Sequence, residues 1–311
     1  MQKKVLKGIT TFNDCWFRTC YYHQLMAGLS YFGVPAEYSI FDFTTEFRTG
    51  NAKGEYSHRA KNVLDENEFE ELTGVCTQKS NAQDVVRFLT QCIERNRPVI
   101  VGQDNYYIPY RSEFQNEHGA HFVLVFGYDL GEKTFSLIEH SFASGLDFCP
   151  RQVPFDYVAQ AYQGFCEHCV HYTWSVEQLL RCENKITFAR RRELINKLCE
   201  PLHRVQLGDY LQLYEVLRET DVADMARTVD TSIHLARYLR TRMLQYEQYG
   251  AAKEITAPLE KVWQCAFFMQ GVAMKINHLK CTELYRSKAV EDKLRIMKEQ
   301  AAHFEKAVRH L

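Results

Sequence analysis

The stretch Cys20-Tyr-Tyr-His-Gln-Leu25-Met-Ala-Gly-Leu29-Ser-Tyr31-Phe-Gly33 is apolar at helical spacing and carries a thiol at its head. Thr19 stands where an N-cap belongs, and Gly33-Val-Pro35 supplies the stop. This predicts a helix with Cys20 on its first turn. There the partial positive charge of the unpaired N–H groups favours a thiolate. A lone cysteine is usually an inert small hydrophobe, so the partners decide the matter. His121 heads the apolar run His121-Phe-Val-Leu-Val-Phe-Gly127-Tyr128-Asp129, and Glu139 lies in the strand expected next. Thiol, then histidine at the start of a strand, then carboxylate on its neighbour is the order of a papain-like cysteine site. Cys20, His121 and Glu139 are therefore the catalytic candidates. Cys15, in Asn13-Asp14-Cys15-Trp16, is the rival thiol, and His118 and His140 are the rival imidazoles.

Further polar residues surround this constellation. Asn13 and Asp14 precede the thiol, and only Asn13 has a side-chain N–H to offer an oxyanion; a backbone N–H at Cys20 is the alternative. Gln103, Asp104 and Tyr107 lie where a buried strand ends and a loop begins, a usual place for substrate contacts. The competing reading there is a turn closed by an Asx hydrogen bond. Cys166-Glu-His168-Cys169, with His171 and Cys182 nearby, invites a zinc assignment, but no second cysteine pair matches it in spacing. No metal is expected. No phosphate loop or dinucleotide fingerprint occurs.

Working outward, Asn81 reads as the cap of a helix through about Asn96, ended by Pro98 before the strand Val99-Ile-Val101. Strands at about 121–128 and 134–140 form a hairpin, a short helix falls near 155–163, and Val170–Trp174 is the candidate to close the sheet. Residues 37–62 read as strand fragments and loop, in position to cover a groove. From about 176 the pattern turns to long helical runs rich in Leu, Arg, Glu and Gln, punctuated by Pro201 and Pro258. The expected architecture is α+β: a papain-like domain over 1–175, with an antiparallel sheet and a nucleophile helix, then an all-helical domain over 176–311.

The chain balances to a net charge of −1, which argues against a nucleic-acid partner; Arg190-Arg-Arg192 is the one dense basic run and reads as a solvated helix face. No run approaches the roughly 18 apolar residues of a membrane span. The first residues, Met-Gln-Lys-Lys-Val-Leu-Lys, are charged with no apolar segment behind them. The 11 cysteines are scattered and odd in number, so a cytoplasmic protein with reduced, mostly buried thiols is expected.

The motifs also carry a resemblance. Cys20 with Leu25, Leu29, Tyr31 and Gly33 resembles the opening motif of the butirosin-biosynthesis protein H N-terminal family, roughly Cys-x4-Leu-x3-Leu-x-Tyr-x-Gly. Arg97-Pro-Val-Ile-Val-Gly-Gln-Asp104-Asn-Tyr-Tyr-Ile-Pro109-Tyr110 is similar to its second motif. His121 through Asp129 is similar to its third, a block shared with bacteriocin-processing cysteine peptidases. The resemblance covers about residues 10–145. It implies a papain-like fold with Cys20 as nucleophile and His121 as base. It also implies an acyltransferase of nonribosomal-peptide or aminoglycoside-type biosynthesis, with no cofactor of its own. The acyl group would arrive on the phosphopantetheine of an acyl or peptidyl carrier protein and leave on a small-molecule or peptide amine. Two features depart from the pattern: Glu139 stands where the related peptidases have Asp, and Ala36-Glu-Tyr-Ser-Ile-Phe-Asp replaces a glycine-rich stretch. A peptidase or amidase, and a catalytically silent scaffold that binds a carrier protein, are the alternative functions.

Overall fold

The computed structural model describes residues 2–11, 13, 19–42, 44–49, 56–140, 147–182, 186–204, 207, 236, 238–247, 250–251, 253–279, 284 and 286–308. Cys15 and Asp14 lie outside them, as do residues 208–235, within the stretch where long helical runs were expected. The chain forms two compact units: Met1–Ser39 with Glu66–Arg191, and Ile40–Asp65 with Arg192–Leu311.

The first unit is built on a seven-stranded, fully antiparallel sheet. In chain order its elements are β1 (Lys3–Val5), α1 (Cys20–Tyr31), α2 (Ala36–Phe41, running into the second unit), α3 (Glu66–Thr73), β4 (Val75–Ser80) and α4 (Val85–Glu94). Then come β5 (Val99–Asp104), β6 (Ala120–Asp129), β7 (Thr134–His140), β8 (Phe148–Pro154), α5 (Phe155–His168) and β9 (Val176–Arg181). The order across the sheet is β4-β9-β5-β6-β7-β8, with β1 added against β6. β5 is buried at every position and β6 from His121 onward, which is why both read as continuous apolar runs rather than alternating ones. The β6–β7 hairpin closes on Asp129, whose Oδ1 accepts the N–H groups of Gly131 and Glu132 at 2.9 and 3.1 Å.

Several expectations need correction. Helix α4 begins three residues later than Asn81 suggests: the Asp84 side chain accepts the Arg87 N–H at 2.9 Å, while Asn81 binds Ser175 and the Thr173 carbonyl. α5 runs on to His168. The strand placed at Val170–Trp174 is instead β9, and it lies inside the sheet between β4 and β5, with Val176, Glu177 and Leu179 buried. The first unit thus extends past 175 to Arg191. A disulfide joins Cys76 of β4 to Cys182 just after β9, so the thiols are not all reduced. Of the seven described free cysteines only Cys92, Cys169 and Cys265 are buried.

The second unit is helical from α6 (Phe188–Cys199) onward, through α7 (238–247), α8 (Lys253–Leu279) and α9 (Lys288–Val308). It also takes in the hairpin of β2 (Thr44–Thr49) and β3 (Tyr56–Lys61), so it is not purely helical as expected. The hairpin joins through hydrogen bonds: Arg242 donates to Thr44 Oγ1 at 2.9 Å and Gln245 to the Ile40 carbonyl at 2.8 Å. Pro258 does not end a helix but sits inside α8, near its start. No helix among the described residues is long and apolar enough to cross a membrane.

Two glycines set how closely helices approach the sheet. A Cβ at Gly28 of α1 would run into Leu179 of β9, and one at Gly102 of β5 would stand 2.6 Å from the Phe165 ring of α5. Gly102→Ala therefore overpacks a buried contact. It is expected to cost about 1–3 kcal/mol, read as a lowered urea midpoint with an unchanged slope.

Candidate active site

Helix α1 starts at Cys20, as predicted, and ends at Gly33 (φ +75°), whose left-handed backbone suits glycine. Thr19 occupies the N-cap position in an extended conformation, but its hydroxyl makes no capping bond. The first-turn N–H groups are thus left without a side-chain acceptor from Thr19, and the backbone N–H of Tyr21 donates to the Cys20 sulfur instead.

The sheet forks where this helix meets it. β6 and β7 pair from Asp129–Thr134 only as far as Leu124–Ile138, yet β6 runs on to Ala120 and β7 to His140. The N–H of Leu124 is taken by the Gln24 side chain at 2.9 Å, one helical turn beyond Cys20. Across the fork His121 Nε2 and Glu139 Oε1 meet at 2.8 Å, with His121 2% and Glu139 0% exposed. With Nε2 taken by Glu139, Nδ1 is the ring nitrogen left for the thiol. His121 hydrogen-bonds Cys20, and the backbone N–H of Phe122 donates to the same sulfur.

The electrostatics follow from this geometry. Burial by itself raises the Cys20 thiol pKa. The His121 hydrogen bond and charge, with the N–H groups of Phe122 and Tyr21, outweigh it and bring the thiol below its usual value. Burial opposes charge on His121 too, but the Glu139 carboxylate and the sulfur raise the imidazole to about 10. Glu139 is penalised by burial, yet the His121 charge and hydrogen bond and the His140 N–H hold it down near about 2. Thiolate, imidazolium and carboxylate are the mutually consistent charge state.

Sequence reading missed four contributors. Tyr110 donates its hydroxyl to Glu139 Oε2 at 3.3 Å, and the Arg151 guanidinium lies 5.0 Å from its ring. The His140 N–H donates to Glu139 Oε1 at 2.6 Å. Gln24 registers α1 against β6; its spacing from Cys20 was the available signal. An aromatic cluster packs against the same core as Cys20: Tyr21, Phe122, Tyr172 and Trp174 lie within 6.3 Å of their ring neighbours, and the Cys20 charge helps to raise the Tyr172 phenol after burial does. Tyr172 and Trp174 also line a cavity of about 330 Å³ with Phe165, Tyr162 and Asn81.

The remaining candidates are placed differently. Asn13 spends both ends of its amide on the Phe148 backbone of β8, at 3.1 and 2.9 Å, and anchors the N-terminal segment there. Gln103 is buried on β5 directly opposite His121. Asp104 forms the Asx turn: Oδ1 accepts the N–H groups of Tyr106 and Gly119, and Oδ2 meets His118 Nδ1 at 2.7 Å. Tyr107 packs against Gly164 of α5 and lies edge-on to Tyr106. His118 is thus drawn away to Asp104, whereas the His140 ring lies 5.4 Å from that of His121.

Residues 48–140 match the family model described as Butirosin biosynthesis protein H, N-terminal. That segment carries His121 and Glu139 and begins after Cys20. A search of curated protein sequences found no match. Among solved structures the chain is similar to a protein described as a C39-like peptidase from Bacillus anthracis. The two share 13% identity at a TM-score of 0.33, over 59% of this chain and 100% of the other.

Because the Cys20 thiol lies below its usual pKa of 9.0 while burial raises those of Cys92, Cys169 and Cys265, its alkylation by iodoacetamide at pH 6 should be faster than theirs. In His121→Ala burial is opposed only by the N–H groups of Phe122 and Tyr21, and the rate at pH 6 should fall, by about tenfold or more. Peptide mapping of each cysteine reads this. A second expectation concerns stability. Glu139 is depressed from 4.5 to about 2, so its contribution is full above 4.5 and lost as pH falls toward 2. Urea midpoints of the wild type should drop more steeply across that window than those of Glu139→Gln, which has no charge to lose.

Proposed function

We propose that this protein is a cysteine-dependent acyltransferase. It would move an acyl, aminoacyl or peptidyl group from a carrier-protein thioester through acyl-Cys20 to an amine, within natural-product biosynthesis of the antibiotic kind. The observation that carries the reading is a thiol held below its usual pKa by an imidazole that a buried carboxylate backs. The relationship to the butirosin biosynthesis family supports transfer rather than simple proteolysis.

The steps follow from the charge state. The Cys20 thiolate attacks the thioester carbonyl carbon, and the tetrahedral oxyanion is held by N–H donors at the start of α1. The carbon–sulfur bond to the carrier breaks, and the departing carrier thiolate takes the proton from His121. An amine then attacks acyl-Cys20 while His121 accepts its proton, and the Cys20 thiolate leaves. Exchange between two thioesters is nearly balanced, so amide formation supplies the drive. Glu139 orients the imidazole, which is neutral in the acyl-enzyme, and stabilises the imidazolium that forms again when the amine proton is taken; Tyr110 holds the second carboxylate oxygen.

Transfer also requires that water reach the acyl-enzyme poorly. The aromatic cluster of Tyr21, Phe122, Tyr172 and Trp174 supports that requirement. For the carrier, Arg191 and Arg192 are exposed on α6 and offer cations to its acidic surface. Arg190 does not belong to that set, because its Nε binds Glu71 at 3.1 Å.

An acyl N-acetylcysteamine thioester tests the reading. Intact-mass analysis should show one acyl group on Cys20, discharged to an amide when an amine is added and abolished in Cys20→Ala. Amide formation that survives in Cys20→Ala would overturn it. Release as free acid at one rate, with or without amine, would assign the hydrolase instead.

A further inference from the structure

A second cluster lies at the same end of the sheet. The ligand atoms of Asp104, His118 and His168 lie within 4.8 Å of one another. They come from three separate elements: the end of β5, the loop before β6 and the last residue of α5. Asp104 is fully buried, whereas the two histidine side chains are 41% and 38% exposed. The imidazole rings lie 3.8 Å apart at 31°, and Tyr106 stacks on His118 from 4.3 Å.

We propose that Asp104, His118 and His168 form a binding site for a divalent transition-metal ion of the zinc type. Two imidazole nitrogens and one carboxylate oxygen are the donor set that such an ion takes, with a fourth position open. The half-exposed rings leave that position to solvent. Asp104 is held by two backbone N–H groups, and its described ion-pair partner is His118, which brings no charge when neutral. A buried carboxylate without a full counter-charge is costly, and a dication there compensates it.

Ligands of a tetrahedral zinc stand about 3.3 Å apart, so the two exposed rings need only small rotations, and the ion replaces the proton between His118 Nδ1 and Asp104. The thiols weighed for zinc from sequence are not the ligands: of Cys166, His168, Cys169 and His171, only His168 enters the cluster. The site would fasten the loop from Asn105 to Gly119, which leads within two residues into His121. Asp104 and Ala120 are already paired in register.

The test is calorimetric titration of tag-free, chelator-stripped protein with zinc chloride, paired with the visible spectrum of the cobalt-loaded form. A single equivalent should bind at micromolar or lower Kd. Cobalt should give weak ligand-field bands and no thiolate charge-transfer band. His118→Ala/His168→Ala should weaken binding at least 30-fold, and the milder His168→Gln should weaken it in the same direction, with the iodoacetamide reactivity of Cys20 unchanged in both. The proposal is overturned by absence of binding or by a thiolate band. It is equally overturned if the double variant retains the bound equivalent, since other groups, such as His121, Glu139 and His140, would then hold it. None of these outcomes depends on acyl transfer.

Discussion

The ionised Glu139 carboxylate, shut away from water, is the constraint on which the site turns. Stranded alone in such a place it would take up a proton and stop polarising the imidazole. It stays charged because His121, Tyr110 and the His140 N–H all donate to it. Those donors converge where β6 and β7, bonded to each other as far as Leu124 and Ile138, are no longer paired. The thiol is then a dependent variable: its acidity comes through an imidazole whose own charge is set from behind.

The fork in turn needs α1 seated at one height. Gln24 does this by taking the N–H that β7 no longer accepts, so one amide both caps an open strand and fixes the register of the nucleophile. Gly28, a further turn along, lets the helix lie against Leu179 and Leu124 without a side chain between. A helix held at two points one turn apart resists sliding, and the Tyr21 N–H at its start stays on the sulfur.

Much of this was legible in the residues. The period of Leu25 and Leu29 with Gly33 located α1, and the unbroken apolar run after His121 located β6, because patterns of that kind report burial directly. The order of thiol, imidazole and carboxylate was readable as chemistry. What failed was long-range. Asn13 looked like an oxyanion donor because it precedes the thiol, but nothing local announces a clamp on Phe148. For Asp104 a wall of the site and an Asx turn were both readable; the structure takes the turn, and only its second bond required knowing where Gly119 returns. β9 was lost because Val176-Glu-Gln-Leu-Leu fits a helix as well as a strand; only the vacancy between β4 and β5 decides it.

That insertion has an outcome for how the protein comes into being. Strand β9 emerges from the ribosome long after Cys20, His121 and Glu139, yet Leu179 forms part of the floor on which α1 rests. A nascent chain that stops short of β9 holds all three reactive residues without the surface that aligns them. Residues 40–65, meanwhile, must wait for partners encoded beyond Arg192. Assembly of the site is therefore deferred by topology: the floor under α1 is complete only once the chain has passed Arg181.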